Sequence, residues 1–132
     1  MENVVSFETA NSMMTAGFPQ PTEYFAGQHW WYVRWQGGRV QSPVECILNM
    51  SSRYNRLMAE PVDGVDGDLT APVFAPTATD IMKELGRHFS MSIDYIGWIV
   101  RHHDLSEHGV GRHVHENPAE ACALAWLEMK KK

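Results

Sequence analysis

At 132 residues, 44% hydrophobic and 20% charged, the chain has the length and balance of one globular domain, which excludes a disordered polypeptide. Its net charge of −5 disfavours general nucleic-acid binding, which needs a basic face, and is too mild for a DNA mimic. No apolar run is long enough to span a membrane, and no charged-then-apolar leader marks export. Cys46 and Cys122 form no CxxC pattern, so the expectation is a reduced cytoplasmic protein without a thiolate zinc or redox site.

The first predicted element is a helix over residues 7–16. Ser6 is its cap and Gly17 its left-handed stop, with Pro19 preventing continuation. Residues 28–36, QHWWYVRWQ, alternate as a strand that puts Trp31, Val33 and Trp35 on one face and Trp30, Tyr32 and Arg34 on the other. Gly37-Gly38 suits a two-residue hairpin turn into a second strand over residues 39–48, in which Pro43 signals an edge or a bulge. A third strand is predicted over residues 53–59. Residues 60–72, acidic and Gly-rich without a period, read as an exposed connection; their D-x-x-D-x-D spacing lacks the arrangement and distal Glu of an EF-hand.

Thr77 and Asp80 form a capping pattern for a second helix that Gly86 ends. Residues 91–103 are apolar on both faces and read as one long, covered strand, followed by a polar loop and a short strand, GRHVHE. The last helix starts at the Asn117 cap with Pro118 in its first position and Glu120 completing the box. Residues 121–127 are apolar all round, so this helix must fill a deep groove or bury a second face against a partner chain. The expected fold is α+β: an antiparallel or mixed sheet with helices packed on it, in the order helix, three strands, helix, two strands, helix.

Three segments, AGFPQP at 16–21, FAPTATDIMKELG at 74–86 and NPAEACALAWLEMKKK at 117–132, resemble small accessory proteins of tailed phages and prophages of Bacteroides-type gut bacteria. The second half also resembles helix-sheet-helix sandwich domains of phage genomes. The resemblance covers mostly helix caps and core, so it implies fold and origin and transfers no catalytic residue. Some proteins of that kind inhibit defence enzymes directly, and others sequester nucleotide immune signals in the infected bacterial cell.

Two constellations offer chemistry. Five histidines fall between His102 and His115, and His113 and His115 share a strand face; with His103 opposite they could hold a metal. No acidic or thiolate partner accompanies them convincingly, so no metal is expected, and they also fit polar hairpin ends. Arginine, by contrast, is concentrated on predicted strands among aromatic residues. Arg34, Arg53, Arg101 and Arg112 with Trp31 and Tyr54 suit a ligand with a phosphate and a flat base. The same residues also fit an ordinary sheet whose arginines bridge to Glu45, Asp94 and Glu116. The expectation is therefore a homo-oligomer without cofactor that sequesters a small anionic, nucleotide-type ligand uncleaved. The alternatives are a protein inhibitor of a defence enzyme and a His-dependent metalloenzyme or nuclease.

Overall fold

In the computed structural model, which describes residues 3–40, 42–102 and 112–130, Ser6 caps α1 (Phe7–Thr15) by accepting from the Thr9 amide at 3.3 Å. Thr77 and Asp80 form a reciprocal capping box at the start of α2 (Ala78–Leu85). Asn117 Oδ1 accepts from the Ala119 amide at 2.9 Å to start α3 (Pro118–Lys130). These short polar side chains satisfy amides that the first helical turn leaves without partners. Glu120 does something other than close its own box. Its carboxylate reaches α1, accepting from the Ser6 amide at 2.5 Å and the Thr9 hydroxyl at 2.8 Å.

Eight strands among the described residues form two antiparallel sheets rather than the single sheet expected. In the first, β1 (His29–Gln36) is central. On one edge it pairs with β5 (Asp68–Phe74); on the other it pairs with β2 (Arg39–Val40) and then β3 (Val44–Ser51), which pairs in turn with β4 (Arg56–Pro61). β2 and β3 are the two parts of the predicted second strand, interrupted around Pro43, which has no amide to donate. Gly37 and Gly38 turn the β1–β2 hairpin at φ of 60° and 78°, values that residues with a Cβ adopt at a cost.

Residues 60–72, expected as an exposed connection, are mostly exposed, and from residue 68 they enter β5, whose residues 68–74 are hydrogen-bonded along β1. Its register slips by one residue between Trp31 and Val33, and Ala71 there takes a φ of 52°. The bulge and Pro72 hide the strand from its residue pattern.

The second sheet is β6 (Phe89–Asp94), β7 (Gly97–His102) and β8 (Arg112–His115). The predicted long strand is a hairpin turning at Tyr95-Ile96, so Ile93 lies directly opposite Trp98. Burial on both faces holds only at its centre, where Ile99 and Val100 are buried; Ile93, Tyr95 and Ile96 at the turn are exposed.

The core is organised around α3. Ala119, Ala121, Cys122, Ala123, Ala125 and Trp126 are all buried, packed by α2, β7, β8 and α1. Small side chains all round let neighbouring elements approach on several sides, and Trp126 fills the remaining space edge-on to Phe18 at 5.1 Å. The apolar helix thus lies largely in a groove of its own chain, with Leu124 left exposed. No helix among the described residues is long and apolar enough to cross a membrane.

Candidate functional site

The two faces of β1 have different fates. Trp31 packs edge-on to Phe7 at 6.3 Å, and its indole donates to the Val5 carbonyl at 2.9 Å, so the N-terminal segment covers this face. Trp30 and Tyr32 point the other way, where a depression of about 350 Å³ is lined by Tyr24, Trp30, Tyr32, Leu48, Leu57 and Pro72. The register explains the lining. Leu48 and Leu57 come from β3 and β4 on the same side of the sheet, and the bulge in β5 brings Pro72 alongside Tyr32. Trp30 is fixed: its indole donates to Gln28 Oε1 at 3.1 Å and its ring leans on Phe74 at 5.5 Å. Tyr24 leans over Trp30 at 5.6 Å and is 61% exposed, so it forms the solvent side of the depression.

The electrostatics of this face are set by burial and one ion pair. Burial raises the Tyr32 phenol above its ordinary value, with Cys46 and Tyr24 adding to the effect. Burial also pushes the Cys46 thiol up to about 11, so it is no nucleophile at neutral pH. Arg34, next along this face, donates to both Asp63 oxygens at 2.9 Å and to the Val65 carbonyl at 3.1 Å. Gly67 makes room for it, since a Cβ there would stand 2.6 Å from Arg34 Cγ. The guanidinium holds the Asp63 carboxyl below its ordinary value, helped by the Val65 amide.

The predicted ligand residues are distributed over four places. Trp31 is on the covered face of β1, and Arg34 is on the open face but engaged by Asp63. Arg53 and Tyr54 come together at the β3–β4 turn, where Arg53 and Arg56 lie 5.3 and 5.7 Å from the Tyr54 ring centre. This turn begins one register step beyond the Met50–Leu57 pair, so the basic, aromatic tip follows Leu57 along the hairpin. Arg101 and Arg112 stand directly opposite one another on β7 and β8 in the other sheet, both exposed.

The candidate metal histidines are each engaged elsewhere or not described. His113 pairs with Glu128 of α3, and His115 Nδ1 accepts from the Asn117 amide at 2.9 Å. His103 lies outside the described residues. No cluster of three metal-ligating side chains occurs among the described residues.

Sequence reasoning missed the depression itself. Trp30 and Tyr32 were legible as one face of β1, but Tyr24 arrives from an irregular loop and Pro72 from the hidden strand. Compared with known proteins, the chain matches no family model, no curated protein and no solved structure.

Proposed function

We propose that this chain is a binding protein that sequesters a nucleotide-derived signalling molecule without cleaving it. The base enters between Tyr24, Trp30 and Tyr32, and the phosphate lies towards Arg53 and Arg56. The observation that carries this reading is the depression of about 350 Å³ lined by Tyr24, Trp30 and Tyr32, within the size range of small-molecule sites; the nearest arginines in sequence, Arg53 and Arg56, flank Tyr54 at the turn beyond Leu57. Aromatic faces stack on any base, and guanidinium groups bind phosphate bidentately. The counter-defence setting in an infected bacterium rests on the resemblance to phage accessory proteins.

Incubation with a panel of cyclic nucleotides and ADP-ribose derivatives, followed by mass spectrometry of bound and heat-released material, tests the proposal. Release of an intact ligand is expected. Tyr24→Ala removes one stacking face worth roughly 1–3 kcal/mol and should weaken binding by about five- to a hundred-and-fifty-fold with the fold intact. Failure of every panel member to bind would overturn the proposal.

A second reading, inhibition of a host protein, has its own observation. At the β6–β7 turn Tyr95 is 97% exposed between exposed Ile93 and Ile96, and the Asp94 carboxylate fixes the turn by accepting from the Ile96 amide at 2.9 Å. A presented aromatic flanked by aliphatics suits insertion into a partner's pocket. Loss of host-protein capture in Tyr95→Ser, with nucleotide binding absent throughout, would favour that reading.

A further inference from the structure

Among the described residues β4 pairs on one side only, with β3. β5, the other outer edge of the first sheet, is broken by its bulge and by Pro72, whereas β4 runs without a break. The register shows which peptide groups line the free side of β4. The Val62 amide donates to the Glu45 carbonyl at 2.9 Å, which makes Cys46–Pro61 a non-hydrogen-bonded pair. Such pairs alternate with hydrogen-bonded ones along an antiparallel ladder. Arg56, Met58 and Glu60 therefore direct their peptide groups to β3, and Leu57 and Ala59 direct theirs away from it. Pro61 adds a carbonyl but has no amide. By side chain, Arg56, Met58 and Glu60 share one face of the sheet, with Leu57 and Ala59 on the other. Arg56 and Glu60 are exposed. Arg56 leans on the Tyr54 ring, Glu60 accepts from the Asn49 side-chain amide at 3.0 Å, and neither makes an ion pair among the described residues.

This edge is complementary to itself. In a two-fold antiparallel pair centred on Met58, Leu57 of one copy stands opposite Ala59 of the other, and the reverse, and each such pair closes two backbone hydrogen bonds. The same register sets Arg56 opposite Glu60 of the second copy at both ends of the pair. It also brings exposed Tyr54, in the turn of one copy, beside exposed Val62, where the other copy leaves β4. A shift by one step in either direction is worse. One shift relies on Pro61, which cannot donate, and the other on Asn55, which turns out of the strand at a φ of 51°. Neither sets Arg56 against Glu60. The charges that keep an exposed edge from indiscriminate pairing thus select one register here.

We propose that β4 is a dimerisation edge, on which a second copy of this chain pairs so that the two first sheets join into one. The two-fold axis runs perpendicular to the sheet, so both aromatic depressions open on the same side of it, with Leu57 of each copy at the seam. The dimer is independent of the nucleotide proposal and is detected without a ligand.

The test is sedimentation velocity of the full chain over a range of concentrations at low salt. A monomer–dimer equilibrium is expected. Glu60→Arg and Arg56→Glu each turn both cross-copy pairs from attraction to repulsion and should weaken the dimer by about tenfold. The double variant restores opposite charges across the seam and should dimerise like the unaltered chain. Ala59→Pro removes an outward amide that β3 does not use and sets a ring against the second copy. It should fold, which circular dichroism checks, and stay monomeric. Should Ala59→Pro fail to fold, the charge variants decide, both being at exposed positions. An unaltered chain that is monomeric at every concentration, a dimer untouched by a folded Ala59→Pro, or a double variant that dimerises no better than the single ones would each overturn the proposal.

Discussion

The Glu120 carboxylate of α3 accepts from the Ser6 backbone amide at 2.5 Å, across a sequence separation of 114 residues. The same carboxylate takes the Thr9 hydroxyl, and beside it the Asn117 side-chain Nδ2 donates to the Val4 carbonyl at 3.0 Å. The first turn of α3 thereby holds the first turn of α1 against the core. A negative group at a helix N-terminus is also favoured by the helix dipole, and here one carboxylate serves the starts of two helices.

Glu120→Ala should therefore destabilise the whole fold. Charge-assisted hydrogen bonds contribute about 1.5–3 kcal/mol, and partial exposure lowers the expected loss to roughly 1–2 kcal/mol. Glu120→Gln keeps a carbonyl acceptor and should lose about half as much. Urea denaturation of the three proteins checks the order. A Glu120→Ala midpoint equal to that of the unaltered chain would show that the contact contributes nothing.

Stability should also report the Arg34–Asp63 pair through pH. The Asp63 carboxyl sits below its ordinary value of 3.8, chiefly because Arg34 donates to it. A carboxyl with a depressed folded-state pKa stabilises the fold at pH above its unfolded value, and that contribution is lost as pH falls through the folded one. Asp63→Asn cannot titrate. Its thermal midpoint should lie below that of the unaltered chain by a constant amount at neutral pH, with the gap closing as pH falls through and below the ordinary carboxyl value of 3.8. A gap that widens on acidification would contradict the assignment. The Asp63 side of the pair is exposed, so added salt should narrow the gap as well.

Where the sequence was legible, a local rule decided the structure. Ser6, Thr77 with Asp80, and Asn117 with Pro118 mark helix starts because few other residues satisfy those amides, and Gly37-Gly38 marks a turn because both positions have positive φ. Where it was opaque, a neighbour distant in the chain decided. β5 contains Pro72 and a left-handed Ala71, and it is a strand because β1 offers it an edge. The β6–β7 turn carries apolar Tyr95 and Ile96, so it reads as continuous strand; Asp94 first and Gly97 fourth were the signal available. Alternation placed Arg34 on its face of β1 but not against its partner, since the Arg34–Asp63 pair depends on how residues 62–67 fold back, and Arg53, expected on a strand, lies in the turn before β4.

Gly97 gives a direct test of the hairpin. Its φ is 132°, and a Cβ would stand 2.8 Å from the His115 backbone oxygen on β8. Gly97→Ala combines a disfavoured backbone with a clash that only strand movement relieves, and should cost about 2–4 kcal/mol. Gly38→Ala, at a φ of 78° with open space around its Cβ position, carries the conformational cost alone and should lose only about 1 kcal/mol. Chemical denaturation of both variants checks the difference. Backbone NMR of Gly97→Ala should place its largest amide shifts at residues 97–98 and 115–116. Equal losses from the two substitutions would show that β8 does not pass over Gly97 as described.

The cross-strand pair Arg101 and Arg112 predicts a gain. The two residues are directly opposite on β7 and β8, both are exposed, and neither has an ion-pair partner among the described residues. Like charges in this position repel, and opposite charges attract, by roughly 0.2–1 kcal/mol. Arg112→Gln removes the repulsion, and Arg112→Glu also adds an attraction. The unaltered chain, Arg112→Gln and Arg112→Glu should therefore rise in that order, with a thermal midpoint for Arg112→Glu higher by about 1–4 °C. The size of the effect should depend on salt, because the screening length falls from about 30 Å at 0.01 M to about 3 Å at 1 M. The three midpoints should spread at low salt and converge at high salt. If Arg112→Glu were less stable at every salt concentration, the two guanidinium groups would have to be stabilising one another's strand through their stems or a shared anion. Adding sulfate would separate those two cases, since a shared anion raises the midpoint of the unaltered chain by more than the general salt effect seen in both variants.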